Sequence, residues 1–77
     1  MSRPIVTYKD QDGNRRSRVA KCSIFADIGE AIFAVAHQAH LPLRTYIYTV
    51  RIGLKTYKIH DLLWEWMTPE QRANYHY

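Results

Sequence analysis

Apolar residues alternate with polar ones along one long stretch of the chain (44–60), alternate more briefly before a turn signal near the start, and recur at helical spacing in two other stretches. The order is strand pair, helix, strand pair, helix. The first stretch, VTYKDQDGNRRSRVA (6–20), reads as a β-hairpin. Asp12-Gly13 is a strong turn signal, because both residues tolerate positive φ. A loop from Gln11 to Asn14 then sets Asp10 opposite Arg15, Tyr8 opposite Ser17 and Val6 opposite Val19. The other face carries Ile5, Thr7, Lys9, Arg16, Arg18 and Ala20, with Lys9 and Arg16 as direct neighbours. Beyond Ala20 the apolar parity changes, which predicts a bulge or strand end near Ala20–Cys22.

The stretch ADIGEAIFAVAHQAH (26–40) has helical periodicity. Asp27 is the expected N-cap, with Glu30 three residues on as in a capping box. Ile28, Ala31, Ile32, Val35 and Ala39 fall on one face, and Leu41-Pro42-Leu43 stops the helix. A second helix is expected over HDLLWEWM, capped by Asp61, with Leu62, Leu63, Trp66 and Met67 as its apolar stripe. TPEQRANY adds a short helical turn, with Thr68 as cap, Pro69 at the first position and Gln71 completing a box. Residues from Asn74 to Tyr77 are expected to fray.

Between the helices lies RTYIYTVRIGLKTYKIH (44–60), with three tyrosines, four basic residues and no acid. A two-residue turn at Gly53-Leu54 pairs Ile52 with Lys55, Val50 with Tyr57 and Tyr48 with Ile59. Strict alternation puts Tyr46, Tyr48, Val50, Ile52, Tyr57 and Ile59 on one face. Thr45, Ile47, Thr49, Arg51, Thr56, Lys58 and His60 take the other. The first set is greasier, so the tyrosines are expected beneath the helices as core. The alternative is a platform on which nucleic-acid bases stack.

These elements predict one α+β domain over residues 1–77: ββαββα, a four-stranded antiparallel sheet with two helices packed on one face. The two halves share an outline but almost no residue identity, so they are not read as a repeat. Seventy-seven residues suffice for one small core, worth only ~3–5 kcal/mol. No apolar run approaches the ~18 residues of a membrane span, and the first residues lack the apolar centre of a signal peptide. Cys22 is the single cysteine, so no internal disulfide can form, and a reducing cytoplasm is the expected location.

The net charge is +4 and its distribution is uneven. Residues 1–25 and 44–58 each carry +4, whereas 26–43 and 59–77 each carry −2. The strands are basic and the helical segments acidic. On the expected register, Lys9, Arg16, Arg18, Arg51 and Lys58 line the sheet face that the helices leave open. Such a face suits phosphates or carboxylates; equally, it keeps a solvated sheet soluble.

No pattern supports catalysis. There is no Gly-rich phosphate loop, nucleophile elbow or zinc-protease helix. His37-x-x-His40 could join Cys22, His60 or His76 in a metal site, but structural zinc usually needs four ligands at recognisable spacing. Cys22 has no acid–base partner placed beside it, and Asp61, Glu65 and Glu70 fit cap and helix-surface roles. A non-enzymatic protein without cofactor, metal or small-molecule substrate is therefore expected. The aromatic signature of RNA-binding sheets and the helix-turn-helix pattern are both missing.

Two partner classes remain. The basic face would mask nucleic acid or a nucleoprotein complex. Alternatively, Phe33, Trp64 and Tyr75 form an aromatic helical patch for a host protein or a homodimer. Small cap-rich proteins without a catalytic site are typical of phage-encoded inhibitors, including anti-CRISPR proteins. No membrane partner is expected.

Overall fold

Residues 3–75 are described by the computed structural model. The strands are β1 (Ile5–Lys9), β2 (Arg15–Val19), β3 (Tyr46–Ile52) and β4 (Lys55–Leu62). They form one antiparallel sheet in the order β2-β1-β3-β4. Helix α1 (Ile28–Ala39) connects the hairpins, and a 3-10 turn (Leu63–Trp66) leads to the short helix α2 (Pro69–Ala73). The α+β ββαββα order is the one the periodicity predicts. No described helix is long and apolar enough to cross a membrane.

The hairpins join through β1 and β3, where Val6 lies opposite Val50 and both are fully buried. Helix α1 covers this seam with Ala31, Ile32, Val35 and Ala36. Its N-terminus has the expected cap, the Asp27 carboxylate accepting the Glu30 N–H at 2.8 Å, but the Glu30 side chain returns no bond, so the expected capping box is only half formed. Its C-terminus ends at His40, whose φ of 52° turns the chain so that the His40 and Leu41 N–H groups both reach Ala36 O. Around Thr68 the reciprocal box forms, with Gln71 N–H donating to Thr68 Oγ1 at 3.2 Å and Thr68 N–H to Gln71 Oε1 at 2.9 Å. Leu63, Met67 and Tyr75 complete the core.

The second helix differs from expectation at its start. Asp61 is no N-cap; it lies within β4, opposite Ile47, and Leu62 is exposed. The cause lies in backbone partners. Leu63 N–H donates to Thr45 O at 2.8 Å and Trp64 N–H to Leu43 O at 2.9 Å. Donors that a helix start leaves orphaned are thus met by the segment before β3, and strand β4 continues past Asp61. The expected fraying also fails at Tyr75, which is 7% exposed; His76 and Tyr77 lie outside the described residues.

The first hairpin is shifted by one residue. Lys9 pairs with Arg15, Tyr8 with Arg16, Thr7 with Ser17 and Val6 with Arg18. The loop is Gln11–Gly13, three residues rather than four. Asp10 N–H donates to Asn14 O at 2.9 Å and Gly13 N–H to Asp10 O at 3.1 Å. Gly13 takes a φ of 84°, the backbone of three-residue hairpins in which a left-handed glycine forms a bulge. The Asp10 carboxylate fastens the loop by accepting from Asp12 and Asn14 N–H. One residue of slip turns every β2 side chain to the other face.

Strand β3 carries a second departure. Thr7 pairs with Thr49 but Tyr8 pairs with Ile47, so Tyr48 is the extra residue of a bulge. The ladder to β4 shifts at the same place, where His60 has a φ of 49°. The bulge lets Ile47 and Val50 both reach 0% exposure three residues apart, which straight alternation forbids. The turn at Gly53-Leu54 is as expected: Ile52 pairs with Lys55, Val50 with Tyr57, and Gly53 has the positive φ. β2 ends at Val19, next to the predicted break.

Candidate functional site

Val6 and Tyr8 point into the helical layer, so Ile5, Thr7 and Lys9 point away from it. Their cross-strand partners share that open face: Val19, Ser17 and Arg15 on β2, and Arg51 and Thr49 on β3. Thr56 and Lys58 follow on β4, opposite Arg51 and Thr49. A hydrogen bond of 2.8 Å between the Thr7 and Ser17 hydroxyls fixes the pairing. The face therefore presents four exposed cations, Lys9, Arg15, Arg51 and Lys58. None of the residues that the register places on it is acidic.

Both ends extend the basic surface. A groove at one end is lined by Arg3, Ile5, Arg51 and Gly53. A groove at the other is lined by Lys9, Asp10, Arg44 and Tyr46 among others. The one carboxylate there is already engaged, because Asp10 accepts two backbone N–H groups and lies 3.4 Å from Arg16 Nε.

The bulge sets an aromatic cluster amid these cations. With Ile47 turned inward, Tyr46 and Tyr48 stand on the open side, their rings edge to face at 5.1 Å. His60 lies 6.0 Å from the Tyr46 ring and 6.2 Å from the Tyr48 ring. Its Nδ1 is 3.2 Å from the Tyr46 hydroxyl. Arg15 reaches across β1 and places its guanidinium carbon 4.1 Å from the Tyr48 ring centroid. A planar cation over a ring face is held by the ring quadrupole.

Lys9, Arg51 and Lys58 are where the periodicity puts them. Arg16 and Arg18 are not: paired with Tyr8 and Val6, they stand on the helix side at the sheet edge. There they line a groove with Ala39, His40 and Leu41. Arg15 takes the position expected of Arg16. Tyr46 and Tyr48, expected as core, stand on the open face instead, because the bulge turns Ile47 inward. Tyr57 stays on the helix side, in a cleft with Ile28, Ile52 and Trp66.

The proposed aromatic patch does not assemble. Tyr75 is buried, and its hydroxyl lies within hydrogen-bond reach of Ala36 O and Leu41 O. It closes the end of α1 instead of facing a partner. Phe33 is half-buried and packs edge-on against His37 at 4.4 Å; His37 in turn meets Tyr75 at 5.1 Å. Trp64 is 45% exposed. It is backed by the Arg72 guanidinium 4.1 Å over its ring, and Arg72 Nε donates to Trp64 O.

Among the described residues no three His, Cys, Asp or Glu side chains converge as metal ligands. His37 belongs to the ring stack, His40 ends α1 and His60 joins the tyrosines; His76 lies outside the described residues. Burial, and then the charge of Glu30, push the Cys22 thiol upward from its ordinary value, which lowers its thiolate fraction. No protein-family model matches this chain, and neither a curated protein nor a solved structure matches it.

Proposed function

We propose that this chain is a non-enzymatic binding protein that holds nucleic acid on its open sheet face and acts by masking it. Lys9, Arg15, Arg51 and Lys58 contact the phosphates, with Arg3 and Arg44 at the two ends. The observation that supports this reading is the sign of the face: four exposed cations on neighbouring strands, unrelieved by any acid among them. Like charges on adjacent strand positions repel, and a polyanion turns that repulsion into binding energy. Arg offers a planar fork and Lys a point charge, so the set grips a backbone without reading its sequence. The lone Cys22 fits a reducing cytoplasm as the place of action.

The test is a titration of fluorescently labelled nucleic acid at increasing salt. Four phosphate contacts predict a slope of log K against log salt of about −3. An affinity indifferent to salt, or no binding at all, overturns the proposal. The exposure of Trp64 favours a second reading, an inhibitor or adaptor that docks on a host protein through the helical side. That reading predicts loss of function on Trp64→Ala and no affinity for nucleic acid.

A further inference from the structure

We infer that the nucleic acid this face takes is single-stranded, with one unpaired base stacked on Tyr48 and its neighbour against Tyr46. This rests on the reading of the open face as a phosphate-contact surface and adds what the bases do there.

Four observations converge on it. The bulge in β3 turns Tyr46 and Tyr48 out of the core and onto the basic face. Both rings are half-buried there, so part of each remains open to a ligand. The cluster is held in place before any ligand arrives: the Tyr46 hydroxyl is bonded to His60 Nδ1, and the rings of Tyr46, Tyr48 and His60 brace one another at 5.1 to 6.2 Å. A platform already fixed spends little entropy on binding. Third, cations surround it, with Lys9, Arg15 and Lys58 on the flanking strand positions. Alternating aromatic and basic groups are what an unpaired strand requires, because its bases expose their faces while its phosphates follow a charged track.

The fourth observation concerns Arg15. Its flat guanidinium occupies the stacking position over Tyr48, 4.1 Å from the ring centroid. A nucleobase is also flat and fits the same position. On binding, the base takes the ring face and the displaced guanidinium turns to the adjoining phosphate. A duplex cannot do this, because its base faces are stacked on one another and only base edges and backbone are open to a protein. RNA and DNA single strands offer the same ring and phosphate chemistry.

The experiment compares four labelled probes on the unmodified protein at one salt concentration: an oligodeoxyuridylate of about ten nucleotides, the matching oligouridylate, an abasic strand with the same phosphates, and a duplex of that length. The two base-bearing single strands are expected to bind about tenfold or more tightly than the abasic strand and the duplex. Preference for one of the two sugars tells whether RNA or DNA is the better source, and either supports the inference. Tyr48→Leu is expected to reduce the advantage over the abasic strand several-fold, leaving the part due to Tyr46, and Tyr48→Phe to keep the full advantage. Equal affinity for all four probes overturns base stacking while leaving the phosphate-contact reading intact. No affinity for any probe overturns both. The probe comparison needs no variant, so it decides even if Tyr48→Leu fails to fold.

Discussion

The guanidinium of Arg15 lies over the ring of Tyr48, 4.1 Å from its centroid, although β1 runs between their strands. Two local irregularities produce this contact. The three-residue loop after Asp10 brings Arg15 to the open face, and the bulge in β3 brings Tyr48 there to meet it. Without either, the sheet would present a different surface.

The bulge makes neighbouring residues unequal. Ile47 is fully buried while Tyr48 stands on the open side. Ile47→Ala is expected to cost about 2–5 kcal/mol, through lost transfer energy and a cavity. That is comparable with the whole stability of a core this size, so the variant should be largely unfolded. Tyr48→Ala should cost only about 1 kcal/mol. Urea titrations of both variants check this, and equal losses would contradict the bulge.

Tyr75 ties the last described residue of the chain to the end of α1 through Ala36 O and Leu41 O. Tyr75→Phe keeps the ring and deletes the hydroxyl. A loss of about 1 kcal/mol is expected, lowering Tm by roughly 4–8 °C in a domain this small. An unchanged melting temperature would show that the hydroxyl contributes nothing to closing α1.

Gln38 holds the end of β2 to the helix. Its side chain accepts from Lys21 N–H at 2.5 Å and donates to Val19 O at 3.1 Å. Gln38→Ala should leave the core intact but speed amide exchange at Lys21, because that N–H loses its acceptor. Hydrogen exchange read residue by residue checks this.

Cys22 supplies a pH prediction. Burial first, then Glu30, raise its thiol pKa in the folded protein. The folded state therefore keeps the proton longer than the unfolded chain does. Its contribution to stability is complete below the unfolded thiol's pKa and is lost as pH rises through the folded one. Alkylation should accordingly be slower in the folded protein than in urea at mildly alkaline pH, and stability should fall over that alkaline range. Equal alkylation rates would contradict the raised pKa.

Much of this was legible in the residues. The caps at Asp27 and Thr68, the turn at Gly53-Leu54 and the element order all follow from local chemistry that tertiary packing does not disturb. The departures at the two sheet faces share one cause: each concerns parity, which a single inserted residue reverses. Asp10 four residues before Asn14, with Gly13 between them, was the available sign of a three-residue loop. Ile47 was the sign of the bulge, being the one aliphatic residue on a polar face. An Ile is more strongly drawn inward than a Tyr, whose hydroxyl seeks water. The strand through Asp61 had no local signal, because the carbonyls of Leu43 and Thr45 that replace a helix cap come from a distant segment.

Arg15 and Arg16 are adjacent and equally charged, yet the register sends them to opposite faces of the sheet. The decisive measurement is nucleic-acid affinity of Arg15→Glu against Arg16→Glu, both changing the net charge equally. Arg15→Glu should weaken binding by about tenfold or more, because a phosphate contact becomes a repulsion. Arg16→Glu should stay within about threefold of the unmodified protein, since it acts only at a distance through screened charge. Equal losses, or a larger one at Arg16, would contradict the open sheet face as the binding surface.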